Sequence, residues 1–155
     1  MDPMILKLIH ILSAILLFGT GLGTAFHGMA SNLSKDLRAI AVTNRNVVIA
    51  DWIFTTPTVV IQPITGIWMA VQQGWSLTSG WIIWSLALYA LAGACWLPVV
   101  WLQMRMRRMA EDAVAAGADL PPLYHRYFRI WFALGWPAFA AMVAIVGLMV
   151  FKPEL

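Results

Sequence analysis

The chain has 155 residues, of which 61% are hydrophobic and 11% charged, whereas a soluble domain carries roughly a quarter charged residues. Nine tryptophans and a net charge of +3, with basic residues that border apolar runs, point to a bilayer-embedded protein and leave no basis for nucleic-acid binding. A single cysteine, Cys95, excludes an intrachain disulfide framework and a Cys-rich zinc site, and no Gly-rich phosphate loop, HExxH, CxxC or GxSxG signature is present.

In chain order, the first apolar run is Met4–Ala30. It exceeds the apolar core of a signal peptide, about 7–15 residues, and reaches the roughly 20 residues needed to cross the hydrocarbon layer. It reads as a retained transmembrane helix. Gly19, Gly21 and Gly23 within it give a GxxxG spacing, which is expected to let this helix approach a neighbouring helix, or a flat ligand, closely. The second run, Val47–Gln72, contains Pro57 and Pro63, which remove two backbone donors and bend the helix. Thr55, Thr56, Thr58, Gln62 and Thr65 surround those prolines, either to satisfy the freed carbonyls or to form a polar stripe facing inward. The third and fourth runs are Trp81–Gln103 and Phe128–Phe151. The connections are 31–46, the short 73–80, and 104–127, which begins as a basic helical extension and is broken by Pro121-Pro122. The expected fold is all-α: one transmembrane domain, 1–155, forming an antiparallel four-helix bundle with helices at about 4–30, 47–72, 81–109 and 123–151.

Lys35, Arg38, Arg45, Arg105, Arg107, Arg108, Arg126 and Arg129 lie in or beside the first and third connections, and only Lys7 and Lys152 lie at the other end. The positive-inside rule therefore puts those connections in the cytoplasm and both termini in the periplasm of a bacterial inner membrane. Trp75, Trp81 and Trp84 then belong to the outer aromatic belt. Arg105, Arg107 and Arg108 are expected to set topology and touch anionic headgroups; capture of an anionic substrate is the weaker reading.

The histidines are the unusual feature. His10 and His27 are about 25 Å apart along one helix and cannot serve one small site. His27 and His125 fall near the cytoplasmic interface, where they either meet at a metal or haem or stay solvated and inert. His10 falls inside the hydrocarbon layer, where an ionisable group is by default a functional-site hypothesis. A neutral imidazole there needs a partner for its N–H, which Ser13 could supply, and an occupant for its lone pair. Haem iron suits the lone pair, and helix bundles hold haem between facing helices. The alternative is a histidine hydrogen-bonded across helices with no ligand. An antiparallel bundle brings Thr65, Met69, Ser85, Tyr89, Met142, Val146 and Met149 to the same layer, and a methionine there could be a second axial ligand.

The segments "LKLIHILSAILLFGTGLGTAF", "ADWIFTTPTVVIQPITGIWMA", "LYALAGACWLPVVWLQMRMR" and "RYFRIWFALGWPAFAAMVAIVGLMVFKP" together resemble a domain-of-unknown-function family of small bacterial proteins labelled predicted integral membrane protein. More distantly, the order of elements resembles the HemJ-type protoporphyrinogen IX oxidases and the CopD-like membrane proteins. His10 matches the early histidine of HemJ proteins, His27 approximates their second, and Thr55-Thr56-Pro57 matches their Thr-Thr-Pro. The resemblance implies a haem b held by His10 and electron transfer between a porphyrinogen and a membrane acceptor. Two features depart from it: Ser85 stands at about the position where HemJ proteins carry a lysine, and the chain reads Leu134-Gly135-Trp136-Pro137 where they carry Asn-Glu just before the helix-four proline. The oxidase's polar residues are therefore missing while the haem histidine remains.

The sequence-level reading is a small b-type haem-binding membrane protein, with a haem-dependent membrane oxidoreductase as the enzyme class it would join. His10 is the expected metal ligand, and Ser13, Thr56, Met69 and Ser85 complete the expected cofactor site. The implied partners are the lipid bilayer, a porphyrin or quinone, and a homo-oligomer or larger membrane complex. The competing readings are a CopD-like copper protein, a small transporter, and a cofactor-free accessory subunit.

Overall fold

In a computed structural model, which describes residues 1–154, the chain is all-helical. Four helices are long and apolar enough to cross a membrane: α1 (Pro3–Ser34), α2 (Leu37–Gln72), α3 (Gly80–Ala116) and α4 (Pro122–Phe151). Most of their apolar side chains point outward, as a bilayer solvent requires. Short connections make successive helices antiparallel. One end of the bundle holds both chain termini and the other the two basic connections; the Gln72 amide reaches the Met1 carbonyl at 3.3 Å at the termini end.

The helix ends follow from local chemistry. The Asp2 carboxylate accepts from the Met4 N–H at 2.7 Å, and Pro3 starts α1 where its missing donor does no harm. At the other end α1 stops on Lys35, in the left-handed conformation at φ 58°. Asp36 then caps α2 at once, accepting from Arg38 N–H at 2.9 Å and Ala39 N–H at 3.2 Å. The connection 31–46 is consequently almost entirely helical, and only Lys35 and Asp36 turn the chain. Its apolar residues Ile40 and Ala41 join Leu102, Met106, Ala110, Tyr124 and Trp131 in a core at the basic end. Likewise α3 runs to Ala116 before Gly117 stops it at φ 61°. At 37 residues α3 is about 55 Å long, so the basic end stands well clear of a 30 Å hydrocarbon layer. A buried polar cluster ties that end together: the Tyr124 hydroxyl donates to Asn32 Oδ1 at 3.0 Å and accepts from Asn44 Nδ2 at 2.9 Å.

Within α2, residues Asp51–Thr55 form a π-helical turn immediately before Pro57. The wider turn accommodates the donor that proline lacks. The neighbouring threonines bond back to their own helix: Thr56 to the Asp51 carbonyl at 2.9 Å, Thr58 to Phe54 at 2.6 Å, and Thr65 to Ile61 at 2.7 Å. These three serve the backbone. Thr55 and Gln62 do not, and these two, with Thr65, belong to the sites described below.

The helices pack as two pairs, α1 with α2 and α3 with α4, joined mainly through the basic half of α2 against α3. Helices α1 and α4 scarcely touch. They meet where Phe18 and Phe139 lie 5.3 Å apart between ring centroids, and again where Gly28 accepts the Trp131 ring. Between these points, about 15 Å along α1, the bundle is open on one side.

Candidate functional site

His10 lies half-buried on the α1 face that meets α2. Its Nδ1 is 2.8 Å from the Thr65 hydroxyl and its Nε2 is 3.2 Å from the Gln62 amide nitrogen. The Thr65 hydroxyl donates to its own helix, so it accepts from Nδ1–H, and Nε2 then accepts from Gln62. The Gln62 carbonyl oxygen in turn accepts from the Ser13 hydroxyl, which also lies 3.0 Å from the His10 carbonyl. Gly66 packs against the ring: a Cβ there would stand 3.1 Å from His10 Cε1. Glycine is what allows the imidazole to lie this close to the α2 backbone.

Of the expected site residues, the structure brings only Ser13 to His10, and it acts through Gln62. The helix-two threonine that meets the ring is Thr65; Thr56 bonds the Asp51 carbonyl instead. Met69 is half-buried, and the buried Ser85 donates to the Trp81 carbonyl of its own helix at 2.7 Å. An axial haem ligand needs a ring nitrogen with a free lone pair facing open space. As arranged, both nitrogens of His10 are engaged and the ring is backed by Gly66, so these residues do not fit that role. Among the described residues no three His, Cys, Asp or Glu side chains gather in a metal-binding group. His27 and His125 are both exposed; His27 Nε2 lies 3.4 Å from the Thr43 hydroxyl, while His125 packs edge-on against Tyr124.

The open side between α1 and α4 leads into a cavity of about 390 Å³. Phe18, Trp96, Trp131, Trp136 and Phe139 supply its aromatic walls. Rim residues Phe26 and Trp136 are 67% and 62% exposed, so the mouth faces sideways, toward lipid. The GxxxG spacing on α1 does not pack a helix: nothing lies within 4 Å of a Cβ built at Gly19, Gly21 or Gly23. Gly21 instead lines the cavity.

The end of the cavity toward the basic connections is polar. Asp51 and Thr55 from the π-turn and Gln103 from α3 line it, and each is at most 5% exposed. Thr55 donates to Asp51 Oδ1 at 2.9 Å. The side-chain oxygen of Gln103 is buried without a partner, and so is the Trp96 indole nitrogen. Buried polar groups are normally paired; among the described residues the Trp81 indole nitrogen is the third such atom without a partner.

The family model described as "Predicted integral membrane protein (DUF2269)" matches residues 4–153. The chain belongs to this family. No curated protein and no solved structure matches it. For this family member, sequence reading singled out His10 and passed over Asp51, Trp96 and Gln103. A signal for the latter was present: Tyr89, Trp96 and Gln103 recur every seven residues on α3, which puts them on one helix face.

Proposed function

We propose that this protein takes up a largely apolar small molecule from the bilayer into the cleft between α1 and α4. The observation that carries this reading is the cleft itself: an aromatic-walled cavity, open to lipid along a glycine-bearing stretch of α1 and ending in buried polar groups. Ligand sites between bundle helices commonly combine apolar walls with a few placed polar groups. His10 has a structural role here, locking α1 to α2 so that α1 can stand apart from α4. A haem held by His10 would require Gln62 to release Nε2. The cleft wall carries no histidine, and Met29 and Met142 are its only sulfur donors. The charge asymmetry favours a cytoplasmic position for the basic end, which puts the polar end of the cleft nearer the cytoplasm.

Native mass spectrometry of the protein purified in mild detergent tests the proposal. The expected result is one retained lipid-sized molecule, lost in Gly21→Leu, whose side chain would enter the cavity. Gly23→Leu, which does not line it, should retain the molecule. Equal retention by both variants would overturn the proposal.

A further inference from the structure

We infer that a hollow between α2 and α3, at the basic end of the bundle, binds one anionic phospholipid, with Arg107 and Arg108 receiving its phosphate. The hollow shares no lining residue with the cleft between α1 and α4, and the inference goes beyond the function proposed for that cleft.

The two helices supply different walls to a volume of about 410 Å³. On α3, Met104, Arg107, Arg108 and Glu111 follow the i, i+3, i+4, i+7 spacing of one helix face. On α2, Ile49, Trp52 and Ile53 are 40%, 56% and 58% exposed, so that wall is open to lipid. The apolar run of α3 ends at Gln103 and its first arginine is Arg105, which sets the hollow at the edge of the hydrocarbon layer. Because α2 and α3 run antiparallel, Trp52, Ile53 and Met104 lie toward that layer, and Arg108 and Glu111 lie away from it. A phospholipid has the same order, with acyl chains running inward from the phosphate. Tryptophan is also the residue enriched at this depth.

Charge decides the head group. Two arginines and one glutamate leave the hollow with one positive charge in excess. Arg107 Nε donates to Glu111 Oε1 at 2.9 Å, so the glutamate is matched within the chain. Arg108 is exposed and, among the described residues, forms no ion pair. Arg105 is directed elsewhere: its guanidinium stacks on the Trp101 ring at 5.4 Å and does not line the hollow. What the hollow lacks is a single negative charge with oxygens that suit a guanidinium fork, and a phosphodiester supplies both. A phosphatidylcholine or phosphatidylethanolamine head brings a cation of its own and leaves the excess charge uncompensated. Basic pockets between transmembrane helices are a recurrent seat for anionic head groups, and the adjoining apolar wall favours a lipid over free phosphate.

Native mass spectrometry from a non-ionic detergent tests this, with phosphatidylglycerol, phosphatidylethanolamine and phosphatidylcholine of the same acyl chains added in equal amounts. One phosphatidylglycerol per chain is expected, held about tenfold more tightly than either zwitterionic lipid, as one charged hydrogen bond implies. Arg108→Gln, a change at an exposed side chain that leaves the fold intact, should abolish the preference. Arg105→Gln removes the same charge outside the hollow and should keep it. Gly21→Leu, which fills the cleft, should keep it too, and a large excess of inorganic phosphate should not displace the lipid. Equal retention of the three lipids would overturn the inference. So would equal losses in the two arginine variants, which would reduce the effect to general attraction between a basic surface and anionic lipid. Loss of the preference in Gly21→Leu would put the lipid in the cleft, and displacement by phosphate would make the site one for a free anion; either result also overturns it.

Discussion

The hydroxyl of Tyr89 donates at 2.7 Å to the carbonyl of Val59. That carbonyl would ordinarily accept from residue 63, but residue 63 is a proline and has no N–H. A side chain of α3 therefore completes the backbone of α2. The bond pins the two helix pairs together beside the cleft, which both residues line.

Removing that donor should loosen the joint. Tyr89→Phe is expected to destabilise the fold by about 0.6–2 kcal/mol, the range for interhelical hydrogen bonds in membranes and model peptides. Unfolding in mixed micelles of rising denaturing-detergent content measures this. Combining it with Pro63→Ala, which restores a backbone N–H, should reduce the loss; an equal loss in both backgrounds would detach Tyr89 from the proline.

The closed ring of His10, Gln62, Ser13 and Thr65 makes a spectroscopic prediction. Protein purified with haem supplied during expression should show no stoichiometric haem b in a pyridine haemochrome spectrum, and His10→Ala should leave that spectrum unchanged. Stoichiometric haem lost in His10→Ala would mean that Gln62 swings off Nε2 to admit iron. His10→Ala should also destabilise the α1–α2 pair by about 1–3 kcal/mol, because it leaves Gln62 and Thr65 short of partners.

At the basic end, Tyr124 is fully buried and holds Asn32 and Asn44 at once. Tyr124→Phe keeps the ring but leaves one amide oxygen and one amide nitrogen unpaired, at a cost of about 2 kcal/mol. A lowered unfolding midpoint is expected, with the helical circular dichroism of the folded state unchanged. Asn44→Ala, which removes one of the two bonds, should fall between that variant and the wild type.

Much of the architecture was legible along the chain. Four apolar runs of sufficient length predict four helices. The first connection was misjudged because the polar content of 31–46 resembles a loop. Its apolar residues Ile40 and Ala41 bury against α3 and α4, a partner that no local pattern reveals. The glycine spacing on α1 allows a close helix or a flat ligand, and the close helix is absent. Spacing places the glycines on the helix, whereas the Phe18–Phe139 and Gly28–Trp131 contacts decide whether α4 comes near them.

By itself, the sequence determined the number of helices, their order and the separation of a basic end from one with only two basic side chains, Lys7 and Lys152, because length, hydropathy and charge act one segment at a time. It also marked His10 as an ionisable group in an apolar run. Only the tertiary structure decided that both His10 nitrogens are engaged, that α1 and α4 part to open a cleft, and that the Gln103 oxygen and Trp96 nitrogen remain unpaired beside it. In lipid, apolar burial hardly distinguishes one helix face from another, so the rotation and spacing of the helices are set by packing and cross-helix hydrogen bonds between residues far apart in the chain.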